Sequence, residues 1–328
     1  MPENLIPPPA ARLAIVIPAY KARYLRECLQ AIAAQTDRRF YVYVGDDCSP
    51  EPLGEIVREF SAQLPITYHR FESNLGGQSL VQQWERCLRL THEPWIWLFS
   101  DDDFMDPGCV AAFYSELENT RESHDLYRFN TIWVNSAKGT RTASPPHPAE
   151  ESGADFLKAR LRGGRNSTLQ ELIFSRQAWT ESGIPEFPLA WHSDDAFIGL
   201  LGRRRSIRTI AGPLVYWRLS GVNITNDHTS ASTRIKLMAS LSFLRWTVDY
   251  FKIHRPAEML EARQLAEQRL ADLLANCWIY LDRPLCREID AWGAEVLGRR
   301  PGWGWRMGLR LNARLTVKKI LARLKLIR

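Results

Sequence analysis

Three stretches of acid hold the chemistry that this sequence can do. In the run Trp95 to Pro107, five apolar residues lead through Ser100 into the consecutive carboxylates Asp101, Asp102 and Asp103. Asp46 and Asp47 follow a second apolar run, Phe40 to Val44, and Asp194 and Asp195 follow His192 and Ser193. Adjacent carboxylates repel one another, and a cation relieves them most directly. Oxygen ligands without His or Cys suit a hard ion, Mg²⁺ or Mn²⁺, shared with a substrate phosphate. A further carboxylate can take the proton of an attacking hydroxyl. The same acids have an ordinary use as helix caps and first-turn residues, before Pro107, Leu53 and Ala196 respectively. His192 is either a ligand or a polar loop residue, and the loop reading is preferred; Trp191 is either a stacking surface or core. No P-loop, no G-x-S-x-G and no His-Glu-x-x-His occurs.

The elements around these acids decide between the uses. Leu13 to Pro18 and Trp95 to Phe99 are short apolar runs and predict buried strands, and Phe40 to Val44 and Ile66 to Phe71 predict two more strands. Between them, Arg23 to Ala34, Leu53 to Phe60 and Gln78 to Leu90 predict helices, the first with Leu25, Cys28, Leu29 and Ile32 at helical spacing. Strand–helix units in a row imply a parallel sheet with every strand's C-terminal end on one edge. Pro18-Ala19-Tyr20, Asp46-Asp47, Asn74-Leu75-Gly76 and Asp101 to Asp103 are then expected along one crevice, where open α/β sheets bind ligands. Acids at two strand ends are hard to explain as caps alone.

Beyond Asp103, Leu126 to Val134 predicts a strand and Ser136 to Ser152, rich in Ser, Pro, Gly and Ala, a loop: a candidate lid or acceptor-binding segment. Asp155 to Leu161 predicts a helix, Leu169 to Ser175 a strand, Arg176 to Ser182 a helix, and Ala196 to Leu201 a helix opened by the second acidic pair. Ile207 to Ile210 and Leu214 to Leu219 predict two strands. Ser230 to Asp282 is helical with a break at Pro256. The expected organisation is a proline-rich tail (1–11), an α/β domain that carries the acids (12–228), a helical extension (229–298) and a basic tail (299–328).

The chain of 328 residues is 45% hydrophobic and 24% charged, ordinary for a globular protein with a sizeable core. Its 12 Trp are many for this length. None of its six cysteines forms a C-x-x-C pair, and Cys28, Cys87 and Cys109 fall in predicted helices, which suits a reducing compartment. Residues 1–11 lack the charged start and apolar run of a signal peptide, and no apolar stretch is long enough to span a membrane. A cytoplasmic protein is expected. Asn223-Ile224-Thr225 matches a glycosylation pattern without a secretion signal to support it.

In order and spacing, Ile-Val-Ile-Pro-Ala-Tyr, Val-Gly-Asp-Asp-Cys-Ser, Asn-Leu-Gly-Gly, Leu-Phe-Ser-Asp-Asp-Asp-x-x-x-Pro and Ser-Asp-Asp-Ala resemble the family 2 glycosyltransferases, from about Leu13 to Thr225. The resemblance implies an A-type glycosyltransferase fold: α/β, Rossmann-like, with a mostly parallel central sheet flanked by helices, here with a C-terminal helical extension. It implies an inverting, metal-dependent transfer of one sugar from a nucleotide-diphosphate donor, UDP-sugar first, to a hydroxyl of a cell-envelope glycan or lipid-linked acceptor. Pro18, Ala19, Tyr20, Asn74 and Gly76 would line the nucleotide, and Asp46 and Asp47 would accept a hydrogen bond from its base. Asp102 would be the metal ligand, flanked by Asp101 and Asp103, Asp195 with Asp194 the catalytic base, and Arg218 a cation facing the diphosphate. Lys21 stands where the family often has Asn, and Cys48 where it often has Gly. The processive-synthase signature Gln-x-x-Arg-Trp is absent, which favours one sugar per encounter over a polymer. A catalytically silent nucleotide-sugar-binding or scaffolding protein is the alternative.

The net charge of +6 belongs to the end of the chain. From Arg299 to Arg328 there are ten Lys and Arg and no acid, against 33 basic and 37 acidic residues elsewhere. A helix from Met307 would carry two apolar stripes with Arg and Lys between them, a pattern suited to the anionic inner face of a membrane. Packing on the domain or a homo-oligomer contact is the other use. Nucleic acid is not expected, since no stacking module accompanies the charge.

Overall fold

The computed structural model describes residues 11–221, 225, 227, 229–277, 283–300 and 302, which divide into two compact units. The first holds residues to 156, 166–186 and 193–226; the second holds 157–165, 187–192 and 227 onward.

The first unit begins with strands β1 (Leu13–Ala19), β2 (Phe40–Asp46), β3 (Ile66–Arg70) and β4 (Trp95–Leu98). Between them run helices α1 (Leu25–Ala33), α2 (Leu53–Arg58) and α3 (Leu80–Leu88). β4 is buried along its whole length, which is why its sequence shows no alternation. α1 buries Leu25, Cys28, Leu29 and Ile32, the face that its spacing predicts. The four strands lie in the order β3-β2-β1-β4, all parallel, with Ala19 level with Asp46 and Val16 level with Leu98.

Next come β5 (Phe104–Met105), α4 (Cys109–Asn119), β6 (Leu126–Asn135), β7 (Thr140–Ala143), β8 (Glu150–Glu151) and α5 (Gly153–Leu161). They are followed by β9 (Leu172–Ser175), α6 (Arg176–Ser182), α7 (Ser193–Leu201) and β10 (Ile207–Leu219). The sheet continues from β4 through β9, β6 and β10 to β5 and is mixed: β9 runs antiparallel to β4 and β6, while β10 is parallel to β6.

Four expectations are corrected. Segment 136–152 is not all loop, because it holds the short strands β7 and β8, paired to β6 and β10. The two strands expected in 207–219 are one, interrupted only by a register shift between Ile210 and Leu214, where Gly212 has φ +105°. Leu169–Glu171 is a 3-10 turn before β9, so the strand starts at Leu172. Helix α7 begins at Ser193, so Asp194 and Asp195 lie within its first turn.

The second unit is helical: α8 (Ser230–His254), a 3-10 turn at Pro256–Glu258, α9 (Met259–Cys277) and α10 (Arg283–Leu297). Proline, which has no N–H to donate, stands at the expected break. Trp292 Nε1 donates to the Leu241 carbonyl at 2.9 Å, tying α10 to α8. Residues 157–165 and 187–192 belong here too: Lys158 pairs with Glu258 at 2.9 Å, and the His192 ring stacks on Phe243 at 4.6 Å. His192 is thus a packed loop residue, and Trp191 has Lys236 Nζ 4.9 Å from its ring. Among the described residues no helix is long and apolar enough to cross a membrane. The basic tail, apart from Arg299, Arg300 and Gly302, lies outside the described residues, as do Asn223 and Ile224.

Candidate active site

The parallel strands deliver their ends to the last residues of β1. Asp47 N–H donates to the Ala19 carbonyl at 2.9 Å, and Ser49 Oγ donates to the Tyr20 carbonyl at 2.6 Å. From the end of β4, Asp101 Oδ2 accepts the N–H groups of Tyr20 at 2.9 Å and Lys21 at 3.1 Å. From the loop after β3, Leu75 N–H donates to Asp47 Oδ1 at 2.7 Å and Gly76 N–H to Asp47 Oδ2 at 2.8 Å. Pro18 is half-buried and Tyr20 exposed at the rim. Asn74 shapes its own turn, its Oδ1 accepting Gly77 N–H at 2.7 Å.

Asp46 and Asp47 are buried but not equivalent. Asp46 is a strut: it accepts Ser49 N–H at 2.7 Å, Arg70 Nη1 at 2.8 Å and the Tyr68 hydroxyl. Asp47 Oδ1 accepts Leu75 N–H and Arg86 Nη2, while Oδ2 takes the single bond from Gly76. A carboxylate oxygen has two lone pairs, so Asp47 Oδ2 retains acceptor capacity.

All three carboxyls of the triplet are raised by burial. Burial, then the neighbouring Asp102 charge, pushes the Asp101 carboxyl up to about 6, against the pull of the Tyr20 and Lys21 N–H groups. Burial raises Asp102 as well, opposed by Ser220, Lys21 and Arg218, and raises Asp103 strongly, with the Asp102 charge adding. Asp103 Oδ1 accepts Arg218 N–H at 2.6 Å, while its buried Oδ2 has no hydrogen-bond partner among the described residues. Arg218 is itself buried on β10; its Nε donates to the Asp102 carbonyl at 2.7 Å, and Nη2 pairs with Glu27 at 2.8 Å. Its guanidinium lies 4.2 Å from the Tyr24 ring. An oxygen-only donor set, an orphaned buried carboxylate oxygen and three raised carboxyls fit a hard divalent ion. Among the described residues no three His, Cys, Asp or Glu are grouped to hold a metal by themselves. Mg²⁺ commonly needs only one or two carboxylates, its other ligands being substrate phosphate and water.

Asp194 and Asp195 lie in the first turn of α7. Asp195 is fully buried and accepts Ser167 Oγ at 2.9 Å; Asp194 is half-buried and accepts Asp195 N–H at 2.9 Å. Sequence reasoning missed Arg70, Tyr68, Arg86, Glu27, Ser220 and Ser167. Their partners are distant in the chain, and each residue alone is an ordinary surface or helix residue type.

The architecture is the A-type glycosyltransferase fold, a mixed α/β sheet flanked by helices. Residues 1–349 of S. aureus TarS in complex with UDP-GlcNAc align with it at a TM-score of 0.54 and 14% identity, over 84% of this chain and 83% of that one. The mannosyltransferase PcManGT from Pyrobaculum calidifontis, in complex with GDP-Man and Mn²⁺, aligns at 0.50 and 16% identity, over 96% of this chain and 90% of that one. At these identities the likeness is one of fold. In sequence, residues 14–168 match the family model for glycosyl transferase family 2. An uncharacterized glycosyltransferase of Haemophilus influenzae is 26% identical over 153 residues, 46% of this chain and 50% of the relative. The match thus spans about half the length of that curated relative.

Proposed function

We propose that this protein is an inverting glycosyltransferase that moves a single sugar from a nucleotide-diphosphate donor, UDP-sugar first, to a hydroxyl of a cell-envelope glycan or lipid-linked acceptor. The observation that carries the reading is the junction at Tyr20, where Asp101 from β4 and Ser49 from the end of β2 meet the end of β1. Pro18, Ala19, Tyr20, Asn74 and Gly76 surround the nucleoside, and Asp47 offers its base an acceptor. Asp102, with Asp101 and Asp103, would hold Mg²⁺ or Mn²⁺, which when bound supplies Lewis-acid stabilisation of the leaving diphosphate. Arg218 holds Asp102 and Asp103 in place and adds positive charge beside them. Donors bound by TarS and PcManGT, and the Mn²⁺ of the latter, support the donor class and the ion.

Asp195 is the base, with Asp194 beside it, and takes the acceptor proton as the hydroxyl attacks the far face of the anomeric carbon. Its complete burial favours a second reading, a silent nucleotide-sugar-binding protein, unless the acceptor opens this turn. Donor turnover separates the two readings. Asp195→Asn is expected to lower kcat by about 100-fold or more while donor affinity holds; turnover unchanged in that variant, or absent from the natural protein with every donor tried, rejects the base or the enzyme. A thermal-shift panel of UDP- and GDP-sugars with Mn²⁺, repeated in EDTA, identifies the donor and the need for an ion. The basic tail is proposed to hold the protein at the anionic inner membrane face, and its deletion is expected to release the protein from anionic vesicles.

A further inference from the structure

Strand β7 is exposed at all four residues and presents one cation beside the site. Register sets Arg141 of β7 level with Val134 of β6, and Val134 level with Arg218 of β10. At about 4.8 Å per strand, the two arginine backbones stand roughly 10 Å apart. Phe104, next in the chain after Asp103, pairs with Tyr216 across β5 and β10, and the two half-exposed rings stack at 4.5 Å and 5°. The Arg218 guanidinium lies 5.1 Å from the Phe104 ring; that of Arg141 lies 6.0 Å from Phe104 and 5.5 Å from Tyr216.

The two cations are differently employed. Arg218 is buried and committed to Glu27, the Asp102 carbonyl and Ser136. Arg141 is exposed and has no hydrogen bond or ion pair with any described residue; its contacts are the two rings. The nearby acid Asp106 is occupied, accepting the Tyr216 hydroxyl at 3.0 Å and Leu214 N–H at 2.9 Å. Cation–π contact at an exposed site contributes only about 0.5–1 kcal/mol, enough to bias the guanidinium toward the rings while its N–H fork stays unspent. Such a fork matches the two oxygens of a phosphate or carboxylate. The aromatic pair beneath it suits the apolar face of a sugar.

We infer that Arg141, seated on the Phe104–Tyr216 stack, binds an anionic group, phosphate or carboxylate, on the acceptor glycan. This rests on the glycosyl-transfer reading of the same site. The acceptor is favoured over the donor because Arg218, not Arg141, touches the triplet, and Arg141 sits two strands from Arg218.

Calorimetric titration of the full chain, with UDP and Mn²⁺ present, tests it with glycerol phosphate, glucuronate and neutral methyl glucoside. Both anions are expected to bind more tightly than the neutral sugar, and the stronger of them names the group. Arg141→Gln, a surface change, is expected to weaken the anion by about tenfold, with UDP affinity unchanged and Arg141→Lys between the two. Equal anion affinity in Arg141→Gln, no anion binding to the natural chain, or a loss of UDP affinity instead would each overturn the assignment. The same titration without nucleotide reads Arg141 on its own, so a chain that binds no nucleotide rejects the donor reading and leaves the anion result separately legible.

Discussion

Cys48 holds a φ of +56°, in the left-handed region that favours glycine. An L-residue in the left-handed region costs roughly 1–2 kcal/mol. The Cys48 thiol recovers little, with Sγ 3.5 Å from the Glu72 carbonyl and 3.7 Å from Arg70 Nη2. After the entropy that glycine adds to the unfolded chain is subtracted, Cys48→Gly is expected to stabilise the protein by about 0.5–1 kcal/mol in urea unfolding. Gly76 gives the opposite case: a Cβ there would stand 2.6 Å from Asp47 Oδ2. Gly76→Ala must push away either the carboxylate or the loop whose N–H groups hold it, so donor affinity falls more than stability does, read by nucleotide titration beside a melting curve. The cysteines also separate by burial. Burial pushes Cys87 up to about 12 and raises Cys28 and Cys109. Since the thiolate is the nucleophile, moving from pH 7 to 9 leaves these three protonated. In a labelling time course with mass-spectrometric assignment, Cys48 is expected to react well before Cys28, Cys87 and Cys109 at both pH values; early labelling of Cys87 would contradict its burial.

Among the elements, the strands buried on both sides were legible and the short, exposed β7 and β8 were not. β1 and β4 are continuous apolar runs because both faces of the sheet are buried there, so their ends, and the acids at them, could be located from composition alone. β7 reads Thr-Arg-Thr-Ala, and its exposed side chains leave no alternation to detect, so pairing with β6 had to come from the fold. The struts under the acids were equally silent: nothing near Arg70 or Arg86 in sequence announces Asp46 or Asp47. The same holds for β8, which is fastened by charge. Fully buried Arg128 of β6 pairs with Glu151 of β8, and its Nε donates to Thr209 Oγ1 of β10 at 3.1 Å. Removing one partner of a buried pair typically costs about 3–5 kcal/mol because the other charge stays buried. Glu151→Ala is therefore expected to destabilise by about 3 kcal/mol. Arg128→Met with Glu151→Leu should recover most of that loss in urea unfolding; a single variant no worse than the double would show that Arg128 finds other compensation.

For the whole molecule, the division into units does not follow the chain. A boundary near residue 228 is what sequence suggests, yet 157–165 and 187–192 cluster with the C-terminal helices. Within that unit Phe187 sits 6.1 Å from the Phe243 ring, His192 stacks on the same ring, and Arg162 pairs with Glu261 at 2.6 Å. Leu189, Ala190 and His192 all hold positive φ, a conformation costing of order 1 kcal/mol or more per residue that persists only while its surroundings impose it. A chain cut after 228 keeps every proposed catalytic residue but strips these two segments of their helical partners. The turn at 187–192 should then relax, and it leads directly into Ser193, Asp194 and Asp195. The truncated chain is expected to bind the hydrophobic dye ANS and lose turnover through kcat, while any folded fraction keeps affinity for UDP, whose proposed contacts come from β1 to β4. A truncated protein that is monomeric by size exclusion, dye-silent and fully active would show that 157–165 and 187–192 hold their conformations without the helices.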